Sequence, residues 1–379
     1  MTELEILRTK IDEIDKKLLP LFLERMECTS GVAEYKRKNN MPVLDKKRER
    51  EILQNKAEMV GPDKAEAVYN FYSSVMAISR AAQRKALGRE KELNLDEHFC
   101  ASELKKDPLV AYQGTEGAYS EAALMKFFGE DTKRINVMTF ADVFEAIREG
   151  KADYGVLPLE NSYTGSISDV YDLLAENNFY IVGETDVPIE HCLVGLSDAQ
   201  LSDIRTVYSH EQGFMQSKEF FKNLPEIEFQ PYYNTAMSAK MVSESGDKTK
   251  AAIAGKRTTE LYGLKVLAEN INQSMKNTTR FAVVAKKGII NESCNKISTV
   301  FTLPNESGTL SNVLSVFASS GFNMVKIESR PSHDKNFEYL FFVDFEGNLL
   351  EDRVKQFVGD IKEQTSYFKI LGNYEFKNE

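Results

Sequence analysis

No apolar run in the 379-residue chain approaches the ~18 residues needed to span a bilayer, and the N-terminus opens with charged, helix-periodic sequence. A cytoplasmic protein is expected. Cysteine is scarce: Cys28, Cys100, Cys192 and Cys294 lie far apart, with no CxxC and no grouping with the four histidines. That spacing speaks against both structural zinc and a disulfide framework. GxGxxG is absent, which excludes a dinucleotide-binding dehydrogenase, and no metal or cofactor is expected. Positive charge is short as well, 48 Lys and Arg against 58 Asp and Glu, and a net charge of -10 argues against nucleic acid as a partner. The deficit is uneven. Residues 1–100 hold 19 cations against 18 anions, so this near-neutral segment points to small anionic ligands.

What is present divides into three patterns. In the first, Leu4, Leu7, Ile11, Ile14, Leu18 and Leu21 step by three and four along a helix expected to run from 4 to about 38. The next seam positions are Arg25, Cys28, Val32 and Tyr35, so a guanidinium stands where an apolar knob belongs and requires a partner. Such a helix is about 50 Å long at 1.5 Å per residue and can cover its stripe only against another chain. An intertwined dimer is expected, with Pro20 kinking the helix or costing roughly 3 kcal/mol. Asp45 is placed to N-cap a second helix to about Met59, and Gly61-Pro62 punctuates before a third to about Leu87, which carries Ser79 and Gln83 one turn apart.

From Pro108, short apolar runs at 109–112, 154–157, 180–182, 206–208 and 251–254 alternate with helical stretches, an α/β pattern. From Lys296 the order becomes strand, helix, strand, strand, helix, strand, the ferredoxin-like βαββαβ arrangement. The expected division is a helical unit at 1–90, a linker at 91–106, a two-lobed α/β unit at 107–287 and an α+β unit at 296–379.

The helical unit carries LRTKIDEID, LFLERM, EYKRKN, PVLDKKRE and ISRAAQ in an order that resembles the all-helical chorismate mutase domain. The resemblance implies rearrangement of chorismate to prephenate, which needs positioning and charge rather than a nucleophile. By motif position, Arg25 and a partner-chain Arg8 bind carboxylates and Arg48 orients the substrate. Lys36 and Gln83 donate to the ether oxygen, and Glu49, with Asp45 and Ser79, holds the hydroxyl end. Gln83 is a neutral amide and donates without protonation.

The middle unit holds GTEGAYS (114–120), PLENSYTGS (158–166), YSHEQGFMQ (208–216), YNTAMSA (233–239) and KNTTRF (276–281). Together they resemble prephenate dehydratase, which implies two α/β lobes closing on prephenate and expulsion of its hydroxyl and carbon dioxide to give phenylpyruvate. Thr279 takes the family's catalytic position as proton donor, with Arg280 beside it. Asn161, Ser162, Gln216 and Thr235 are expected to orient the substrate. His210 is a candidate because imidazole as a side-chain type suits proton transfer, but it reads as a hydrogen-bonded loop histidine and is left out of the catalytic set.

PNESGTL (304–310) and ESRP (328–331) resemble the amino-acid-binding ACT domain. The resemblance implies feedback by phenylalanine bound at a dimer interface, through Asn305, Gly308, Leu310, Glu328, Ser329 and Arg330, in a homodimer or homotetramer. Two other readings compete. A sensor without catalysis would share a two-lobed plan, but Thr279 in a full KNTTRF motif and the cation set near the N-terminus argue against it. The other keeps the dehydratase and leaves the helical unit as a dimerisation element.

Overall fold

The computed structural model describes all residues except 1, 40, 42, 44, 88–94, 96, 223, 225, 274–275, 307, 332–338 and 378–379. Part of the expected linker, the PVLDKKRE positions 42 and 44, and the expected strand start at Phe337 lie outside the described residues.

Three helices open the chain: α1 (Glu3–Lys38), α2 (Lys46–Glu58) and α3 (Pro62–Leu87). A capping box between Thr2 and Glu5 starts α1, which runs unbroken through Pro20. Pro20 is exposed, so water can satisfy the carbonyl that loses its helical partner. Asp45 caps α2 by accepting from the Arg48 amide at 3.0 Å. The stripe from Leu4 to Leu21 is exposed throughout, from 44% at Leu18 to 63% at Leu21. Only the distal part of α1, at Thr29 and Ala33, is buried.

The strands follow as β1 (Phe99–Cys100), β2 (Leu109–Gln113), β3 (Lys133–Val137), β4 (Tyr154–Asn161), β5 (Gly165–Ser166) and β6 (Tyr180–Pro188). Next come β7 (Cys192–Leu196), β8 (Thr206–Ser209), β9 (Glu228–Pro231), β10 (Lys250–Ala254), β11 (Leu264–Ala268), β12 (Thr278–Ala285) and β13 (Gly288–Ile289). The last four are β14 (Lys296–Thr302), β15 (Met324–Pro331), β16 (Tyr339–Glu346) and β17 (Tyr367–Tyr374).

One lobe of the α/β unit has strand order β6-β12-β4-β2-β3, the other β11-β7-β10-β8-β9. β12 returns antiparallel into the first lobe after the chain has built the second, so the cleft forms where the chain crosses between them. The C-terminal unit is ordered β15-β16-β14-β17, as the βαββαβ pattern predicts.

Two junctions were not visible in the sequence. β17 pairs parallel with β6 at Gly372 and Ile181, which merges the C-terminal sheet with the first lobe into one ten-stranded sheet. A Cβ at Gly372 would run into the Ile181 carbonyl oxygen, so close approach requires glycine there. Within the expected linker, β1 pairs with β13, and Phe99 is buried among the C-terminal core residues Ile297, Phe301 and Phe357. No described helix is long and apolar enough to cross a membrane.

Candidate active sites

The first site lies where α1, α2 and α3 meet. Arg25, Thr29, Ala33 and Lys36 are spaced so that they share one stripe of α1. Arg25 donates to the Ser79 hydroxyl, which donates to the Val75 carbonyl at 2.8 Å. The seam guanidinium therefore meets a neutral oxygen, with no carboxylate paired to it among the described residues. Lys36 Nζ donates to the Val43 carbonyl at 2.5 Å, and Gln83 is buried with its Oε1 unbonded among the described residues. Glu49 forms an ion pair with Arg80, which is 6% exposed. Arg80 lies inside the quoted ISRAAQ motif but was not expected at the site; its place on the buried face with Ser79 and Gln83 was the available signal.

Three expected members stand apart. Arg48 is exposed, 3.9 Å from Glu51, and Asp45 serves the α2 cap. Arg8 is exposed and 17 residues from Arg25 along one continuous helix, about 25 Å at 1.5 Å per residue. No single chain brings Arg8 to this site.

The second site is a cavity of about 330 Å³ between the two lobes, lined by Tyr119, Asn161, His191, Gln216, Thr235 and Thr279 among others. Register sets its centre, since Thr279 on β12 stands opposite Asn161 on β4. Asn161 Nδ2 donates to Thr279 Oγ1 at 2.9 Å and to Asn277 Oδ1 at 2.7 Å. Asn277 Nδ2 and His191 Nε2 both lie 2.8 Å from Gln216 Oε1. Burial lowers the pKa of His191 to about 4, so the imidazole is neutral at physiological pH. Burial also pushes the Tyr119 phenol well above its ordinary value, with smaller contributions from Cys192 and Glu190.

Two helices, Tyr119–Phe128 and Thr235–Ser245, begin at this cavity. Their N-terminal amides suit carboxylates, and no Lys or Arg is among the described lining residues. His210 caps the helix Glu211–Gln216, its Nδ1 accepting from the Gln212 amide at 3.3 Å, and it also lines the cavity. Ser162 is exposed and pins the loop instead of lining the cavity, donating to the Lys276 carbonyl at 3.1 Å and accepting from the Thr278 amide at 3.0 Å.

The third site is a cavity of about 270 Å³ lined by Asn305, Gly308, Leu310, Tyr339 and Phe341. Gly308 caps the helix Thr309–Ser320 with φ +86°, and no atom lies within 4 Å of where its Cβ would sit, so conformation rather than crowding selects glycine.

Family models match in chain order: Chorismate mutase type II over 7–84, Prephenate dehydratase over 110–289 and ACT domain over 297–356. A bifunctional chorismate mutase/prephenate dehydratase of Aquifex aeolicus is 34% identical over 99% of this chain and 98% of its own. The chain belongs to the bifunctional chorismate mutase/prephenate dehydratase family. Its relative in Escherichia coli K12 is 31% identical over 98% of this chain and 96% of that one. A prephenate dehydratase from Arthrobacter aurescens, solved in complex with L-Phe, is 31% identical, with a TM-score of 0.66 over 71% of this chain and 90% of that chain. The protein thus joins an isomerase that converts chorismate to prephenate to a lyase that converts prephenate to phenylpyruvate.

Within the dehydratase, Arg280 departs from expectation. Adjacent residues of a strand face opposite ways, so Thr279 enters the cleft while Arg280 leaves it. Arg280 Nε lies 3.1 Å from Asp186 and 3.8 Å from Glu184, with Phe376 against its guanidinium. These groups line a larger cavity of about 600 Å³ on the other face of the sheet. Glu184 is buried there against Lys296 at 2.8 Å, and burial raises its pKa despite that ammonium.

The ESRP residues also part from the 303–311 loop. Glu328 accepts from Ser166 and Arg330 lies 2.8 Å from Asp172, both partners in the dehydratase, while Ser329 faces solvent. The alternation of β15 turns every second side chain toward the neighbouring domain.

Proposed function

We propose the following division of labour within the bifunctional enzyme, with the mutase in residues 1–90, a linker at 91–106, the dehydratase in 107–287 and the regulatory domain in 296–379. In the mutase, Arg25 binds a carboxylate of chorismate, and Lys36 and Gln83 donate to the ether oxygen as its bond to the ring breaks. Glu49, held by Arg80, receives the hydroxyl end, with Ser79 orienting Arg25. Arg8 comes from a second copy. A homodimer supplies it, because the exposed Leu4–Leu21 stripe of α1 needs an apolar partner of the same length and symmetry offers that stripe again. The protein works in the cytoplasm.

In the dehydratase, the two helix N-termini hold the carboxylates of prephenate, and Gln216 and Thr235 orient it. The ring-to-carboxylate bond breaks, its electron pair aromatises the ring, and the ring hydroxyl leaves as water with a proton from Thr279. Thr279 regains that proton from solvent. The observation that carries this reading is the donor arrangement at Thr279: its oxygen accepts from Asn161, and its proton has no acceptor among the described residues. L-phenylalanine binds at Asn305, Gly308 and Leu310 and inhibits the enzyme, with Glu328 and Arg330 transmitting occupancy to the dehydratase.

The test is conversion of chorismate to phenylpyruvate by the purified chain, with and without phenylalanine, for the wild type and two variants. Gln83→Ala should lower mutase kcat by ~10²-fold or more and spare the dehydratase. Thr279→Val should do the reverse. A Thr279→Val enzyme that turns over prephenate normally would remove the proton-donor assignment.

A further inference from the structure

One hydrogen-bond chain in the dehydratase cleft has a direction that can be derived from its end. Asn161 Oδ1 accepts from the backbone amides of Tyr163 and Thr164, each at 3.0 Å. A backbone N–H can only donate, so the orientation of this carboxamide is settled by the fold. Asn161 Nδ2 must then face the interior, where it donates to Asn277 Oδ1 and Thr279 Oγ1. Asn277 in turn presents Nδ2 to Gln216 Oε1, so Gln216 Oε1 also faces His191 Nε2. An amide oxygen cannot donate, and His191 must therefore carry its proton on Nε2. Its Nδ1 is left unprotonated, 3.3 Å from the Tyr119 hydroxyl, whose own proton goes to the Glu190 carbonyl at 2.8 Å.

We infer that Asn277 and His191 are positioning residues for dehydration: they hold the Asn161 amide in the one orientation that makes Thr279 Oγ1 an acceptor inside the protein and hence a donor toward the substrate. The inference rests on the reading of Thr279 as proton donor. All five residues are buried, with Asn161, His191, Asn277, Gln216 and Thr279 at 3–7% exposure, which strengthens the four bonds that join them. Thr279 cannot ionise usefully on its own. What the relay provides is direction: with one lone pair taken by Asn161, the Thr279 proton points into the cavity, where a leaving hydroxyl would stand. The titratable groups around the imidazole are Tyr119 on the facing helix, Glu190 and Cys192 beside it in sequence, and Asp169 and His210 across the cavity. Burial lowers its pKa, and the Gln216 bond acts in the opposite direction.

The first test is nitrogen-15 NMR of the full-length protein labelled in histidine, where only four imidazoles are present and His191→Gln assigns the relevant one. The expected result is a neutral Nε2–H tautomer from pH 5.5 to 8. An Nδ1–H tautomer, or titration near the ordinary value, would overturn the relay. The second test is Asn277→Asp, which keeps size and the bond to Asn161 but turns the donor facing Gln216 into an acceptor. Gln216 must then rotate and place its amide against His191 Nε2–H. Dehydratase kcat should fall ~10²-fold with KM nearly unchanged, and the acid limb of its pH profile should move upward as a carboxylate enters the chain. Unchanged kcat in Asn277→Asp would also overturn the relay. A correct tautomer combined with an active Thr279→Val enzyme would instead sink the proton-donor reading while leaving the relay intact.

Discussion

Lys326, on the second strand of the regulatory domain, places its ammonium 2.9 Å from the carboxylate of Glu160, the residue before Asn161. The same ammonium reaches the Tyr171 hydroxyl at 2.6 Å, and its neighbour Glu328 accepts from Ser166 on β5. β5 pairs with the end of β4, with Asn161 opposite Gly165. The ACT domain thus grips the hairpin whose Asn161 bonds Thr279, which offers a contiguous path from that domain to the Thr279 hydroxyl.

Lys326→Met should keep basal dehydratase activity, because Glu160 is 37% exposed on its side chain and can be solvated once its partner is gone. Inhibition by phenylalanine should weaken by 5-fold or more, within the ~5–150-fold range of measured couplings. A dose–response curve for phenylalanine reads this directly, and an unshifted midpoint would remove Lys326 from the path.

Asn161→Asp retains the acceptor for the Tyr163 and Thr164 amides, so the hairpin should stay folded. The donor to Thr279 is lost, and the carboxylate instead accepts the Thr279 proton. We expect dehydratase kcat to fall ~10²- to 10⁴-fold with mutase activity unchanged. Steady-state assays of the two reactions on one preparation check it.

Gly372→Ala puts a methyl group against the Ile181 carbonyl, where backbone rather than a yielding side chain stands. The strand must shift to accommodate it, at a cost of ~1–3 kcal/mol. Urea unfolding should show a lower midpoint for the dehydratase and regulatory domains. Loss of phenylalanine sensitivity should accompany it, since the two sheets join at that pair.

His191 makes stability depend on pH in a stated direction. Its folded pKa of about 4 lies below the ordinary 6.5, so between those values the unfolded chain binds a proton that the native chain refuses. Stability is therefore complete above pH 6.5 and lost as pH falls toward 4, by up to ~3 kcal/mol for this group. Denaturant midpoints measured from pH 4 to 7 should fall on the acid side, with a shallower slope in His191→Gln. Equal slopes would contradict the assignment.

Much of the architecture was legible because its causes are local. A period of three and four residues marked α1 and placed Arg25 on its seam, and the Asp45 cap and the Gly61-Pro62 break bounded α2 and α3. Strand-like runs and the βαββαβ order followed from the same near-neighbour rules. Arg280 was legible too, in principle: the two-residue period of a strand puts it on the face opposite Thr279, and motif adjacency obscured that.

His191 was passed over because nothing near it in sequence marks it. Its partner Gln216 is 25 residues away, and Thr279 is 118 residues from the Asn161 that orients it. The merging of the two sheets at Gly372, the seating of Phe99 in a distant core and the turning of Glu328 and Arg330 toward the dehydratase have the same character. By itself the sequence determined the elements, their order and the three units, since periodicity, capping and turn chemistry act within a few residues. Only the tertiary structure decided which amide faces which oxygen around Thr279, because hydrogen-bond direction exists only after the chain has closed its long loops and excluded water from between them.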